Sequence, residues 1–256
     1  MYNSEWESRK LIIEIGKRLW QKGYVAANDG NISARLNKDE LLATATGVSK
    51  GFMTDDMIIK IDNNGNSIGR GNKYRLSSEI KMHLEVLKQR KDVMAVIHAH
   101  PSFCTSFAVA GIPLNKCIIP EVIVTLGSVP IAPYGTPSTS EIPESIKPYI
   151  KEFDALLLAN HGALTLGSDL MNAYFKMETL EHSSRIIYQA MQLGNVNVLQ
   201  KEDVEKLMEV REKMNIPGKA VQCTYQKKEE TVEQKDLIKT ITTEVLERLK
   251  KSKETN

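Results

Sequence analysis

The chain has 256 residues, 41% hydrophobic and 26% charged, a balance that supports a buried core and excludes wholesale disorder. Its 34 Lys and Arg nearly cancel 32 Asp and Glu, leaving +2, so no general field favours nucleic acid or an anionic membrane surface as a partner. The longest pure apolar runs, such as residues 155–159, fall far short of the ~20 residues that cross a bilayer. The acidic opening has no basic start or apolar block of a secretory kind, and three cysteines without a CxxC pair leave an odd thiol, so a cytoplasmic protein is expected.

Leu11, Ile12, Ile15 and Leu19 recur at helical spacing, which predicts an amphipathic helix over residues 5–22 that ends near Gly23. The turn formers Asn28-Asp29-Gly30-Asn31 follow, then strand-like runs at 32–36 and 40–45 and a second turn at Thr46-Gly47. Residues 57–61 are β-prone, and Asp62-Asn63-Asn64-Gly65-Asn66 is a hairpin signal leading to a return run at 67–70. Ser77-Ser78-Glu79 reads as a hydroxyl N-cap for a helix to about Arg90. Residues 93–100 read as a strand, 120–133 as a β-rich stretch broken by Gly127, and 137–145 as turns and cap signals. Residues 155–159 form a buried strand, and a long helix from Leu170 to Leu193 stops at Gly194.

Composition changes after Pro217-Gly218. The expected organisation is a catalytic domain over 1–217, a Lys/Glu/Gln-rich linker over 218–236 and a tail over 237–256. In that tail Leu237, Ile238, Ile241, Val245 and Leu249 share one helical face.

The chemistry concentrates on three of the five histidines. Strand side chains alternate, so His98 and His100 project from one side and can share an ion, while His161 closes another strand before Gly162. Three imidazoles leave a coordination position open, the arrangement of a catalytic zinc site. Glu79, in the first turn of its helix, is the candidate carboxylate. Ser77 and Ser78 at that helix start, with Asn31 and the Thr46-Gly47 turn, suit a phosphate. A phosphate beside a metal and a carboxylate narrows the chemistry to proton or carbon–carbon bond work next to a carbonyl. His83 and His182 read as packing or surface residues, and Glu178 and Glu181 as a solvated helix face.

Taken in order, Gly30-Asn31-Ile32-Ser33, Thr46-Gly47, Ser77-Ser78-Glu79, His98-Ala99-His100-Pro101, Ala132-Pro133-Tyr134 and His161-Gly162-Ala163-Leu164 resemble the motifs of the class II aldolase/adducin family, over about residues 7–213. The resemblance is greatest to its fuculose-phosphate aldolases. It implies an α/β fold with a central, mostly antiparallel sheet flanked by helices, and a homotetramer with active sites at subunit interfaces. It also implies one zinc per chain on His98, His100 and His161. Glu79 would ligate that zinc in the empty site and act as acid/base once substrate displaces it. Asn31, Thr46, Gly47, Ser77 and Ser78 would hold the phosphate.

The implied activity is reversible cleavage of a ketose 1-phosphate, such as L-fuculose 1-phosphate, to dihydroxyacetone phosphate and an aldehyde such as lactaldehyde. A sugar-phosphate epimerase or dehydratase is the alternative, and a non-catalytic adducin-like role stands behind both. The chain departs from the fuculose-phosphate aldolases in one respect. Residues 101–133 contain no tyrosine, the family's proton donor there, and the nearest polar side chain is Glu121. The tail resembles the peptides that direct enzymes into bacterial microcompartments, so a shell protein is an expected partner and a microcompartment an expected location, the alternative being that the same face packs back onto its own tetramer.

Overall fold

A computed structural model describes residues 4–69 and 73–216; the linker and tail expected over 218–256 lie outside the described residues. Helix α1 (Glu5–Gln21) opens with a reciprocal cap, in which Glu7 N donates to Ser4 Oγ and Ser4 N to Glu7 Oε2. Its predicted stripe is the one buried, with Ile12, Ile15 and Leu19 fully covered. Gly23, in the left-handed region at φ +71, releases the chain towards the sheet.

The sheet has seven strands: β1 (Asn31–Arg35), β2 (Glu40–Thr44), β3 (Ile58–Asp62), β4 (Ala95–Ala99), β5 (Ile131–Ala132), β6 (Ala155–Leu158) and β7 (Gly162–Gly167). Their order is β3-β2-β1-β4-β7-β6-β5, antiparallel throughout except for the β5–β6 pair, as the resemblance implied. Strand β4 lies between β1 and β7 and is buried along its whole length, which is why it reads as a continuous apolar run interrupted by a histidine. The helices are α2 (Ile80–Gln89), α3 (Ser102–Ala110), α4 (Pro120–Thr125), α5 (Glu141–Ile146), α6 (Leu170–Leu193) and α7 (Lys201–Lys213). Among the described residues no helix is long and apolar enough to cross a membrane.

Two expectations fail locally. The stretch 120–133, expected to be β-rich, forms the short helix α4 followed by the two-residue β5. Pro120 occupies the first turn, where its fixed φ suits a helix. The β-branched run behind it buries Val122 and Ile123, the latter against Val204 of α7 and Cys117. Arg211 of α7 then donates to the Ile123 and Val124 carbonyls at the helix end. Packing thus overrides propensity. The hairpin turn after β3 does form, with Gly65 at φ +86 and Asp62 N donating to Asn66 O. The return run, however, is reduced to a single bridge between Ser67 and Ile61, and Arg70 lies outside the described residues.

At the start of β6 sits a buried ionic cluster. Asp154 receives Arg90 Nη2 and Lys176 Nζ, each at 2.8 Å, and Lys176 also donates to the Leu166 carbonyl. All three residues therefore tie β6, β7, α6 and the end of α2 together.

Candidate active site and metal centre

The three histidines come together at one end of the sheet. His98, one pair from the end of the β4–β7 ladder and opposite Leu164, is fully buried, whereas His100 emerges one residue past the strand. His161 occupies the turn between β6 and β7, preceded by Asn160 in the left-handed region at φ +56. Their potential ligand atoms all lie within 4.8 Å of one another, with His98 Nε2 and His100 Nε2 3.0 Å apart. Gly162 makes this close approach possible. A β-carbon there would fall 2.5 Å from the His100 ring and 2.6 Å from the Ala99 carbonyl oxygen.

Glu79 reaches the same point from α2, its Oε1 3.2 Å from His161 Nε2 and 3.7 Å from His98 Nε2. Its other oxygen accepts from Asn31 Nδ2 at 2.6 Å. The register explains that contact, because Asn31 stands directly opposite His98 across the β1–β4 ladder. Ser77 and Ser78 do not cap α2 as expected. Glu79 itself is the N-cap, in helical conformation and without a side-chain cap bond; Ser77 Oγ accepts only at 3.4 Å from Glu79 N, and Ser78 Oγ meets Ser138 Oγ at 2.7 Å. The Thr46-Gly47 turn is brought beside these serines by Thr46 N donating to Arg75 O and by a bridge between Ala45 and Leu76. Gly47 needs its left-handed φ of +71. Tyr134 is exposed after β5, and Glu121 is exposed on the first turn of α4.

The donor set suits a divalent cation. His98 Nδ1 donates to the Ala163 carbonyl at 2.9 Å, which turns a bare Nε2 towards the other groups. Burial pushes the His98 imidazole down to about 3 and lowers that of His100 as well. Burial opposes the charge on Glu79, but contact with His161 and His98 and the bond from Asn31 hold its carboxyl below the usual carboxylate range. Neutral imidazoles and an ionised carboxylate are the protonation states that metal binding requires. Glu79 Oε1 and His161 Nδ1 are, in addition, buried without a hydrogen-bond partner.

Several residues near the site carried no functional reading in the sequence. Lys50 is almost fully buried, its Nζ donating to the carbonyls of Val48 and Asn28 at 2.8 and 3.1 Å, and burial pushes it down to about 8. Asp29 Oδ2 lies 3.4 Å from His100 Nδ1. Glu181, expected on a solvated face, is buried and accepts from Phe103 N and Cys104 N, closing the start of α3. Glu178 is half-buried and bonded to Tyr174 and Lys22. Periodicity along α6 could not reveal this, since α3 packs over positions that a lone helix would leave wet. His182 is exposed, as expected.

His83, one turn after Glu79, is fully buried with Nδ1 2.7 Å from Ser33 Oγ. Burial pushes its imidazole down to about 4 from 6.5, against a weaker upward pull from Glu79. The unfolded chain therefore takes up a proton between roughly pH 6.5 and 4 that the native state refuses, and stability falls as pH falls through that window. Urea unfolding of the parent should lose about 1.4 kcal/mol per pH unit more than His83→Gln across this range. Parallel pH profiles would remove this role for His83.

Comparison with known proteins agrees with the geometry. Residues 10–188 match the family described as Class II Aldolase and Adducin N-terminal domain. An L-fuculose phosphate aldolase of Methanococcus maripaludis is 34% identical over 69% of this chain and 93% of its own length. A 3-oxo-tetronate 4-phosphate decarboxylase of Pectobacterium atrosepticum is 30% identical over 73% of this chain and 86% of its own. Among solved structures, an L-fuculose 1-phosphate aldolase superposes with a TM-score of 0.74 at 29% identity, covering 82% of this chain and 98% of that one. With its fold, motif order and histidine cluster all accounted for, the chain belongs to the class II aldolase and adducin family.

Proposed function

We propose that this chain is a metal-dependent lyase that reversibly cleaves a ketose 1-phosphate, L-fuculose 1-phosphate or a close analogue, to dihydroxyacetone phosphate and an aldehyde such as lactaldehyde. The observation that carries this reading is the meeting of three imidazoles and the Glu79 carboxylate beside the Ser77-Ser78 and Thr46-Gly47 segments. His98, His100 and His161 would hold zinc, one per chain, with Glu79 as a further ligand in the empty site. The metal, when bound, supplies Lewis acidity towards a carbonyl and towards the negative charge left as the carbon–carbon bond breaks. Asn31, Thr46, Gly47, Ser77 and Ser78 hold the phosphate and so fix which carbon faces Glu79. Glu79, ionised at the outset, would take up the proton released by the hydroxyl that becomes the aldehyde and give it to that carbon, oriented by the Asn31 side chain on its second oxygen.

The decarboxylase relative supports a second reading, loss of carbon dioxide from a 3-oxo acid phosphate, because both reactions leave electron density next to a polarised carbonyl. An epimerase or dehydratase would use the same intermediate charge differently. Purified protein loaded with zinc and given a panel of ketose 1-phosphates and a 3-oxo acid 4-phosphate separates them. Dihydroxyacetone phosphate, measured with a coupled reductase, is expected from the ketose, and metal analysis should find about one zinc per chain, lost in His98→Ala. Carbon dioxide release without any triose phosphate would instead establish the decarboxylase.

Three further parts of this proposal rest on the family resemblance and the composition of the chain. The active unit is a homotetramer with interface active sites, it acts in the cytoplasm, and residues 237–256 address it to a microcompartment shell.

A further inference from the structure

The three imidazoles differ in what holds their outer nitrogens. His98 Nδ1 is fixed by the Ala163 carbonyl, and His161 Nδ1 is buried without a partner. His100 Nδ1 faces the Asp29 carboxylate at 3.4 Å, and its ring is the most exposed of the three, with 26% of the side chain accessible. An imidazole at the rim of a site has the most rotational freedom to lose, so it gains most from an outer partner.

The loop that carries Asp29 is built to hold still. His100 N donates to the Tyr24 carbonyl at 2.9 Å, and Asp29 N donates to the Ala26 carbonyl at 2.8 Å. Gly30, at φ +72, presses so close to β4 that a β-carbon would lie 2.8 Å from the His98 carbonyl oxygen. Ala27 adopts φ +47, a conformation that costs a non-glycine residue ~1–3 kcal/mol and persists only where its surroundings impose it. Those surroundings include Lys50, whose buried ammonium is spent on the carbonyls of Asn28 and Val48 rather than on water. An ammonium kept at 1% exposure without an ion pair of its own among the described contacts is costly, and here it ties the Asp29 loop to the Thr46-Gly47 turn.

We propose that Asp29 is a positioning residue that orients His100 for metal binding, and that Lys50 acts through it by anchoring the loop from beneath. This rests on the reading of His98, His100 and His161 as metal ligands. The carboxylate fixes the imidazole with its proton on Nδ1 and its lone pair on Nε2, the nitrogen that faces His98. Neither Asp29 nor Lys50 touches the reacting atoms in this scheme; both act on affinity for the ion and on the orientation of one ligand.

The test is zinc affinity of the full chain, by competition with a chromogenic chelator, together with the ¹⁵N spectrum of the histidine rings. Asp29→Ala should weaken zinc ~10–100-fold and shift the His100 ring nitrogens, and Asp29→Asn, which keeps an oxygen acceptor, should recover most of the loss. Lys50→Met keeps the buried stem and should weaken zinc by a smaller factor, an effect that disappears in the Asp29→Ala background. Parent affinity in both Asp29 variants, with zinc lost from His98→Ala, would overturn the proposal and leave the metal site standing. Zinc retained by His98→Ala would overturn the metal site itself, and an equal Lys50→Met effect in both backgrounds would remove Lys50 from the scheme.

Discussion

Glu79→Gln is expected to fold normally and to lose ~10²–10⁴-fold of its turnover, the contribution of a general acid–base group. The substitution is close to isosteric and preserves the oxygen that accepts from Asn31. What it removes is the carboxylate held 3.2 Å from His161 and 3.7 Å from His98, the group that the proposed reaction needs to carry a proton. Steady-state kinetics on protein with verified zinc content separates loss of the proton carrier from loss of the ion. The Michaelis constant should change little, because the proposed phosphate contacts lie on other residues. Near-normal turnover would move the search for the acid/base group to Glu121.

Asp154→Ala should have the largest effect on stability, a loss of about 3–5 kcal/mol by urea unfolding. Asp154 is 4% exposed and is the carboxylate shared by Arg90 and Lys176, both at 2.8 Å. Its removal strands the Lys176 ammonium, itself 7% exposed, against a single carbonyl. Desolvation of that uncompensated charge dominates the cost, so the double variant Asp154→Leu, Lys176→Met should be markedly less damaged than the single one. Equal losses in the two would show that packing volume, and not charge, sets the penalty.

The parts of this molecule legible in its sequence are those governed by local period. The stripe of α1, the limits of α6 and the alternation that puts His98 and His100 on one side follow from 3.6- and 2-residue repeats, and the structure has them where expected. Position 79 is singled out by its place in the Ser77-Ser78-Glu79 segment at a helix start, and the structure brings its carboxylate within 3.2 Å of His161. The failures have a common cause in charge and apolar residues whose state is set by distant neighbours. Nothing local marks Lys50 for the burial that the carbonyls of Asn28 and Val48 impose, and Glu181 reads as a wet face until α3 arrives. Residues 120–125 read as strand because β-branching is visible in sequence, whereas the α7 surface that makes them a helix is not. The serine hydroxyls misread as a cap show the limit of a local rule, since the cap position belongs to Glu79 and the hydroxyls are left for other partners.

The closure of α3 by Glu181 bears on which way round a substrate lies. Two helices begin beside the imidazoles, α2 at Ile80 and α3 at Ser102, and the start of each is a natural attractor for a negatively charged ligand. At α3 that attraction is already answered from within, by a carboxylate whose two oxygens accept from Phe103 N and Cys104 N. At α2 the N-cap residue makes no side-chain cap bond, and Ser77 Oγ accepts only a long 3.4 Å bond from Glu79 N. In the proposed binding mode a phosphate would find the α3 start already answered and the Ser77 and Ser78 hydroxyls at the α2 start, which would place its carbon chain towards the histidines. On that proposal the internal anion at α3 would serve as a polarity marker for the ligand, disfavouring the reversed orientation without touching it.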